Sequence, residues 1–61
     1  MDTADNVARA ARKLITEHGT ASENIALARA KNAEESDRQE VANIWRGIAD
    51  AVREMQRRRD R

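Results

Sequence analysis

The chain has 61 residues, of which 39% are hydrophobic and 38% charged, and its net charge is +1. That is one small domain, residues 1–61, near the lower limit of what folds alone. Without cysteine there is no disulfide framework and no thiolate metal site, and with one histidine a zinc site would need carboxylate ligands around it, for which no spacing is present.

Alanine, glutamate and arginine dominate and proline is absent, so helix is favoured throughout. No stretch alternates like a strand. Three helices are predicted, over about 4–18, 21–35 and 37–58. In the first, Val7, Ala11, Leu14, Ile15 and His18 form one apolar stripe, widened by Ala4 and Ala8. Thr3 or Asp2 is the expected cap. Gly19 should end this helix, because glycine takes the left-handed conformation without a Cβ clash.

Thr20-Ala21-Ser22-Glu23 reads as a capping box opening helix two. Ile25, Ala28 and Ala21 lie on one side of that helix. Leu27, Ala26, Ala30 and Ala33 cover much of the other, with Arg29 and Asn32 between. Leu27, Ala30 and Ala33 are therefore expected as a second contact face. A break at 35–37 is favoured by two further cap pairs, Ser36 with Gln39 and Asp37 with Glu40. The rival is one helix of about 40 residues from Ala21 onward, roughly 60 Å long, which could not bury Trp45 and Ile48 within its own chain.

Helix three carries Val41, Ile44, Ile48, Ala51 and Met55 at a/d spacing, flanked by Trp45 and Val52. Val41, Ile44, Trp45, Ile48, Val52 and Met55 are the expected core or interface stripe. On the polar face, Arg46–Asp50 and Asp50–Arg53 can pair along the helix. The expected fold is all-α, a three-helix bundle. Its limited core makes completion by dimerisation an attractive addition.

The chemistry-bearing residues are sparse. His18 beside Gly19 reads as a helix-terminal residue meeting the dipole rather than as a catalytic base. Glu34–Glu35 and Asp37–Glu40 lack the ligand spacing of a calcium loop and read as a solvated face with caps. Neither a nucleophile turn nor a glycine-rich phosphate loop is present. No catalytic, cofactor-binding or metal-binding residue is assigned, no cofactor is expected, and the chain reads as a non-enzyme.

Residues 53–61 hold five arginines against two acids, a local +3, while the remaining chain sums to −2. Arg57, Arg58, Arg59 and Arg61 are candidate phosphate contacts, and 57–61 is expected to be a frayed basic tail. No aromatic residue interleaves with the tail for base stacking. A start of Met1-Asp2-Thr3-Ala4-Asp5 is unlike a signal peptide, and no apolar run approaches the roughly 20 residues of a membrane span. A cytoplasmic protein with no membrane partner is the expectation.

The frame Leu14-Ile15, His18-Gly19, Ala28-Arg29-Ala30 and Trp45-Arg46-x-Ile48-Ala49-x-Ala51-Val52 resembles a group of short, uncharacterised bacterial helical proteins. The resemblance covers about residues 8–55. In those proteins Gly-Asp often stands where this chain has Ser36-Asp37, which implies a break there. No activity is attached to the group, so none is implied.

The function expected from these residues is a non-enzymatic helical protein–protein interaction module. It would be a small subunit, adaptor or inhibitor, of bacterial or phage origin; phage-encoded inhibitors of host defence have this size and character. Its partners would be itself, as a homodimer or larger assembly, or a larger protein. The alternative is a nucleic-acid-binding accessory protein using the C-terminal arginines.

Overall fold

The computed structural model describes the backbone of residues 3–59 and the side chains of residues 5–58. Its elements are α1 (Thr3–His18), a 3-10 turn (Gly19–Ala21), α2 (Ser22–Glu35) and α3 (Gln39–Arg59). Every residue from Asp5 to Glu35 belongs to a helical segment, so these residues form one helical arm and α3 forms the other. The molecule is a helical hairpin, which corrects the expected three-helix bundle. No loop separates α1 from α2, and these two segments touch each other only sparingly. Both lie against α3 instead, α2 more extensively than α1.

The first arm is bent rather than straight. At 1.5 Å per residue a straight arm would reach about 46 Å, whereas the longest dimension of the whole molecule is 38 Å. Gly19 supplies the bend with a φ of 60°, as expected of a glycine after a helix end. The predicted capping box is not used. Neither the 3-10 turn nor α2 has a side-chain cap hydrogen bond, and Thr20 and Ala21 lie in the 3-10 turn. The bend is held from within by Ser22, which is fully buried. Its Oγ lies 2.9 Å from the Leu14 carbonyl and 2.6 Å from the Gly19 carbonyl. One hydroxyl proton cannot serve both carbonyls fully. Gly19 already accepts the Ser22 backbone N–H and, at 2.9 Å, the Gln56 side-chain amide. The Ser22 hydroxyl is thus shared between Gly19 and Leu14, the latter in the last turns of α1. These bonds satisfy the polar groups of the bend, so no solvated loop is needed there.

The one exit from helical structure among the described residues lies at Ser36–Arg38, close to the expected 35–37, and it excludes the continuous 40-residue helix. Arg38 N–H donates to Ala33 O at 2.8 Å and Asp37 N–H to Glu34 O at 3.0 Å. This is the paired bonding of a Schellman motif with Asp37 at the left-handed position, and its φ is 60°. The Arg38 carbonyl accepts the first α3 bond, from Ala42 N–H at 3.0 Å. The N-cap position therefore falls on Arg38, and neither Ser36 nor Asp37 occupies it. At the other terminus Thr3 is already helical, and a cap by Asp2 lies outside the described residues.

The buried set is Ala11, Leu14, Ala26, Ala30, Ala33, Ala42, Ile48, Ala49 and Val52, with Ser22 the buried polar residue. Ser22, Ala26, Ala30 and Ala33 make one face of α2, and Ala42, Ala49 and Val52 make its counterpart on α3. Small side chains let two helices approach at the short end of the usual range, which suits this alanine seam. The buried stripe on α3 is therefore turned by roughly 45°, about half a residue step, from the predicted one. Ile48 and Val52 stay in it, Ala42 and Ala49 are fully buried, and Val41 and Ile44 are 40% and 48% exposed. The tight partner surface takes in small side chains beside the two large ones. α1 covers the other flank of the stripe, where the Val7 methyls lie 4.0 Å from the site of a Cβ on Gly47.

Candidate interaction surface

Ile48 and Val52 sit in the core, and Trp45 and Met55 pack against it partly buried. Val41 and Ile44 stand on the exposed side of α3 near its start. The expected second contact face divides in the same way. Ala30 and Ala33 are buried, while Leu27 is 42% exposed. Of the nine residues expected on the two surfaces, four are buried, two pack against the core partly buried, and Val41, Ile44 and Leu27 are exposed.

The charged residues separate onto two sides of the α2–α3 pair. On one side Arg53 donates two hydrogen bonds to Glu23 Oε2, at 3.1 Å from Nε and 2.9 Å from Nη2. On that side Arg46 also pairs with Glu34 and hydrogen-bonds Asn43 Oδ1 at 3.1 Å. These cross-helix pairs replace the Arg46–Asp50 and Asp50–Arg53 pairs expected along α3. The Glu23 hydrogen bond and then the Glu23 charge raise the Arg53 guanidinium above its ordinary value; desolvation opposes them, and the Asp50 charge adds the least.

The other side is built around Trp45. The Arg29 guanidinium lies 5.0 Å from the indole centroid, within cation–π range. A depression on one flank is lined by Arg29, Trp45, Ala10, Lys13, Leu14 and Glu17. A second, on the other flank, shares Arg29 and Trp45 and adds Asn32, Ala33, Ser36, Arg38 and Val41. The two depressions adjoin at Arg29 and Trp45, which line both, and together they form the trough around Trp45 where α1, α2 and α3 meet. Lys13, Arg29 and Arg38 make no ion pair among the described residues. The sequence reading left Lys13 on a polar face and Arg29 between two apolar sides. Only the helix register brings them to one aromatic residue. The i,i+4 spacing of Val41 and Trp45 was the one local signal of this surface.

The remaining candidates are dispersed. His18 is exposed at the end of α1. Glu35, Asp37 and Glu40 are exposed, and Glu34 is taken up by Arg46. Among the described residues no three His, Asp or Glu side chains gather as a metal site would require. Arg57 and Arg58 are exposed on the last turn of α3, whose helical backbone runs to Arg59. The Arg59 side chain and Arg61 lie outside the described residues. No helix among the described residues is long and apolar enough to cross a membrane. Compared with known protein families, curated proteins and solved structures, the chain matches none of them.

Proposed function

We propose that this chain is a non-enzymatic helical interaction module that acts by docking onto another protein surface. One observation carries the reading. Leu27, Val41 and Ile44 are 40–48% exposed in a molecule whose buried set is mostly alanine. A chain so short of large apolar residues gains more by burying them than by leaving them in water, at about 25 cal/mol per Å². Their exposure in the single chain is what a surface completed by association looks like.

The test uses the double variant Val41→Glu, Ile44→Glu. Both positions are exposed, so helix content should hold. The wild-type chain should be recovered from its native cell with one stoichiometric companion, or sediment as more than one chain, and the variant should do neither. A wild-type chain that is strictly monomeric and captures nothing would remove the reading. The nucleic-acid alternative rests on Arg57 and Arg58, exposed on the last turn of α3. It predicts binding that weakens steeply with salt and a flatter slope once residues 57–61 are deleted.

A further inference from the structure

We propose that the trough around Trp45 binds a short acidic segment of a partner protein that also carries a large apolar side chain. This rests on the interaction-module reading above and names its surface and the chemistry of its partner.

Charge is the first argument. Lys13, Arg29 and Arg38 line the trough against a single lining carboxylate, Glu17. None of the three cations is ion-paired among the described residues, while Arg46 and Arg53 on the opposite side both are. One flank of the α2–α3 pair is thus electrostatically closed by its own acids, and the other is open to acids from elsewhere.

The second argument is the chemistry of Arg29. A guanidinium over an indole interacts through its face, and its in-plane N–H fork remains available to a carboxylate. The aromatic ring also holds the cation in place, which lowers the entropy lost on binding. Third, the trough floor is apolar. Trp45 is partly buried, Val41 is 40% exposed, and Leu14 and Ala33 close the two flanks. Buried aromatic and arginine side chains together are the usual energetic centre of a protein interface. A nucleic-acid backbone would satisfy the cations but offers no aliphatic group to Val41.

The test starts from a random twelve-residue peptide library displayed on phage and selected on the full chain. Enriched peptides are titrated in solution against Trp45 emission, which reports on the trough alone because the chain has no other aromatic residue. Selected peptides should combine Asp or Glu with Leu, Ile or Phe, and should shift that emission. Arg29→Glu should weaken them by about tenfold or more, the scale of losing one well-placed charge pair. Lys31→Glu makes the same charge change on an exposed residue outside the trough and should leave binding within about twofold. Circular dichroism of Arg29→Glu checks that the exposed substitution leaves the fold intact.

Peptides that bind without moving Trp45 emission, or that bind Arg29→Glu equally well, would overturn the trough while leaving an interaction module. So would peptides without acids. A wild-type mass of two chains that falls to one in Arg29→Glu would make a second copy the occupant. An oligothymidylate that quenches Trp45 in place of any peptide would make it a nucleic-acid surface. Either result overturns the acidic-segment assignment. Absence of any enriched peptide also overturns it, and a chain that in addition finds no partner in its native cell loses the interaction reading too.

Discussion

Ser22 joins the bend of the first arm to the core. It is fully buried, and its hydroxyl reaches the carbonyls of Leu14 and Gly19. Ser22→Ala removes one buried hydrogen bond and should lower unfolding stability by about 1 kcal/mol, read as a reduced midpoint in urea. Asp37 and Gly47 act in the opposite direction. Asp37 holds a φ of 60°, which costs a non-glycine residue about 1 kcal/mol. Gly47 sits inside α3, where the nearest atoms to an added Cβ are the Val7 methyls at an ordinary 4.0 Å. Asp37→Gly should therefore stabilise by up to about 1 kcal/mol, and Gly47→Ala by a similar amount. For a domain of this size each corresponds to a rise in Tm of roughly 4–8 °C. An unchanged Tm in Gly47→Ala would mean that the Val7 contact is tighter than the geometry gives. Gly19, with the same positive φ as Asp37, was legible in the sequence because glycine announces that conformation. Asp37 was not, since aspartate there reads equally well as a cap.

Among the elements, boundaries were more legible than faces. α1, α2 and α3 begin and end within about two residues of the predicted positions. Periodicity and the glycine punctuate the chain that clearly. The Thr20–Glu23 capping box does not form, and Glu23 instead accepts from Arg53 across the helices. Thr20→Ala should accordingly cost less than about 0.5 kcal/mol, well below the loss of a working N-cap. The α3 face was legible in part. Ile48 and Val52 of the predicted stripe are buried, but Ala42 and Ala49 lie in the core where Val41 and Ile44 do not. Ala49→Leu tests this. It should destabilise by about 1–3 kcal/mol through overpacking, although leucine is the larger hydrophobe and nearly as good a helix former. A stabilised Ala49→Leu would place the seam elsewhere.

In the whole molecule the two arms are held by a narrow seam of small apolar contacts. Ile48→Asp puts a carboxylate into that seam and should abolish cooperative unfolding, whereas Ile44→Asp, on the exposed side, should leave helix content and cooperativity in place. Circular dichroism melts of the two variants separate the observed core from the predicted stripe, which counts both residues as core or interface. The cross-helix ion pairs add a salt-sensitive contribution. Arg53 has its value raised in the folded state, so its contribution is complete below the ordinary guanidinium value. It is lost only as pH climbs through the raised one. Stability should hence respond to added salt but, as far as Arg53 is concerned, stay flat across neutral pH. A melting series in which moderate salt leaves Tm unmoved would show that the two pairs contribute nothing.

The sequence by itself determined that this chain is helical and, within about two residues, where its helical segments lie. Those properties are local. Helix propensity, the 3.6-residue period and glycine at a helix end act within a few residues, so a single chain displays them openly. Tertiary structure decided that the segments form a bent hairpin, because Ser22 and Gln56 satisfy the bend from two different elements. It also decided that Ala42 and Ala49 lie in the core beside Ile48 and Val52 while Val41 and Ile44 stay exposed, because depth depends on what the facing helix offers. Lastly, it decided that Lys13, Arg29 and Arg38 surround one tryptophan, because no spacing along the chain encodes the register between helices.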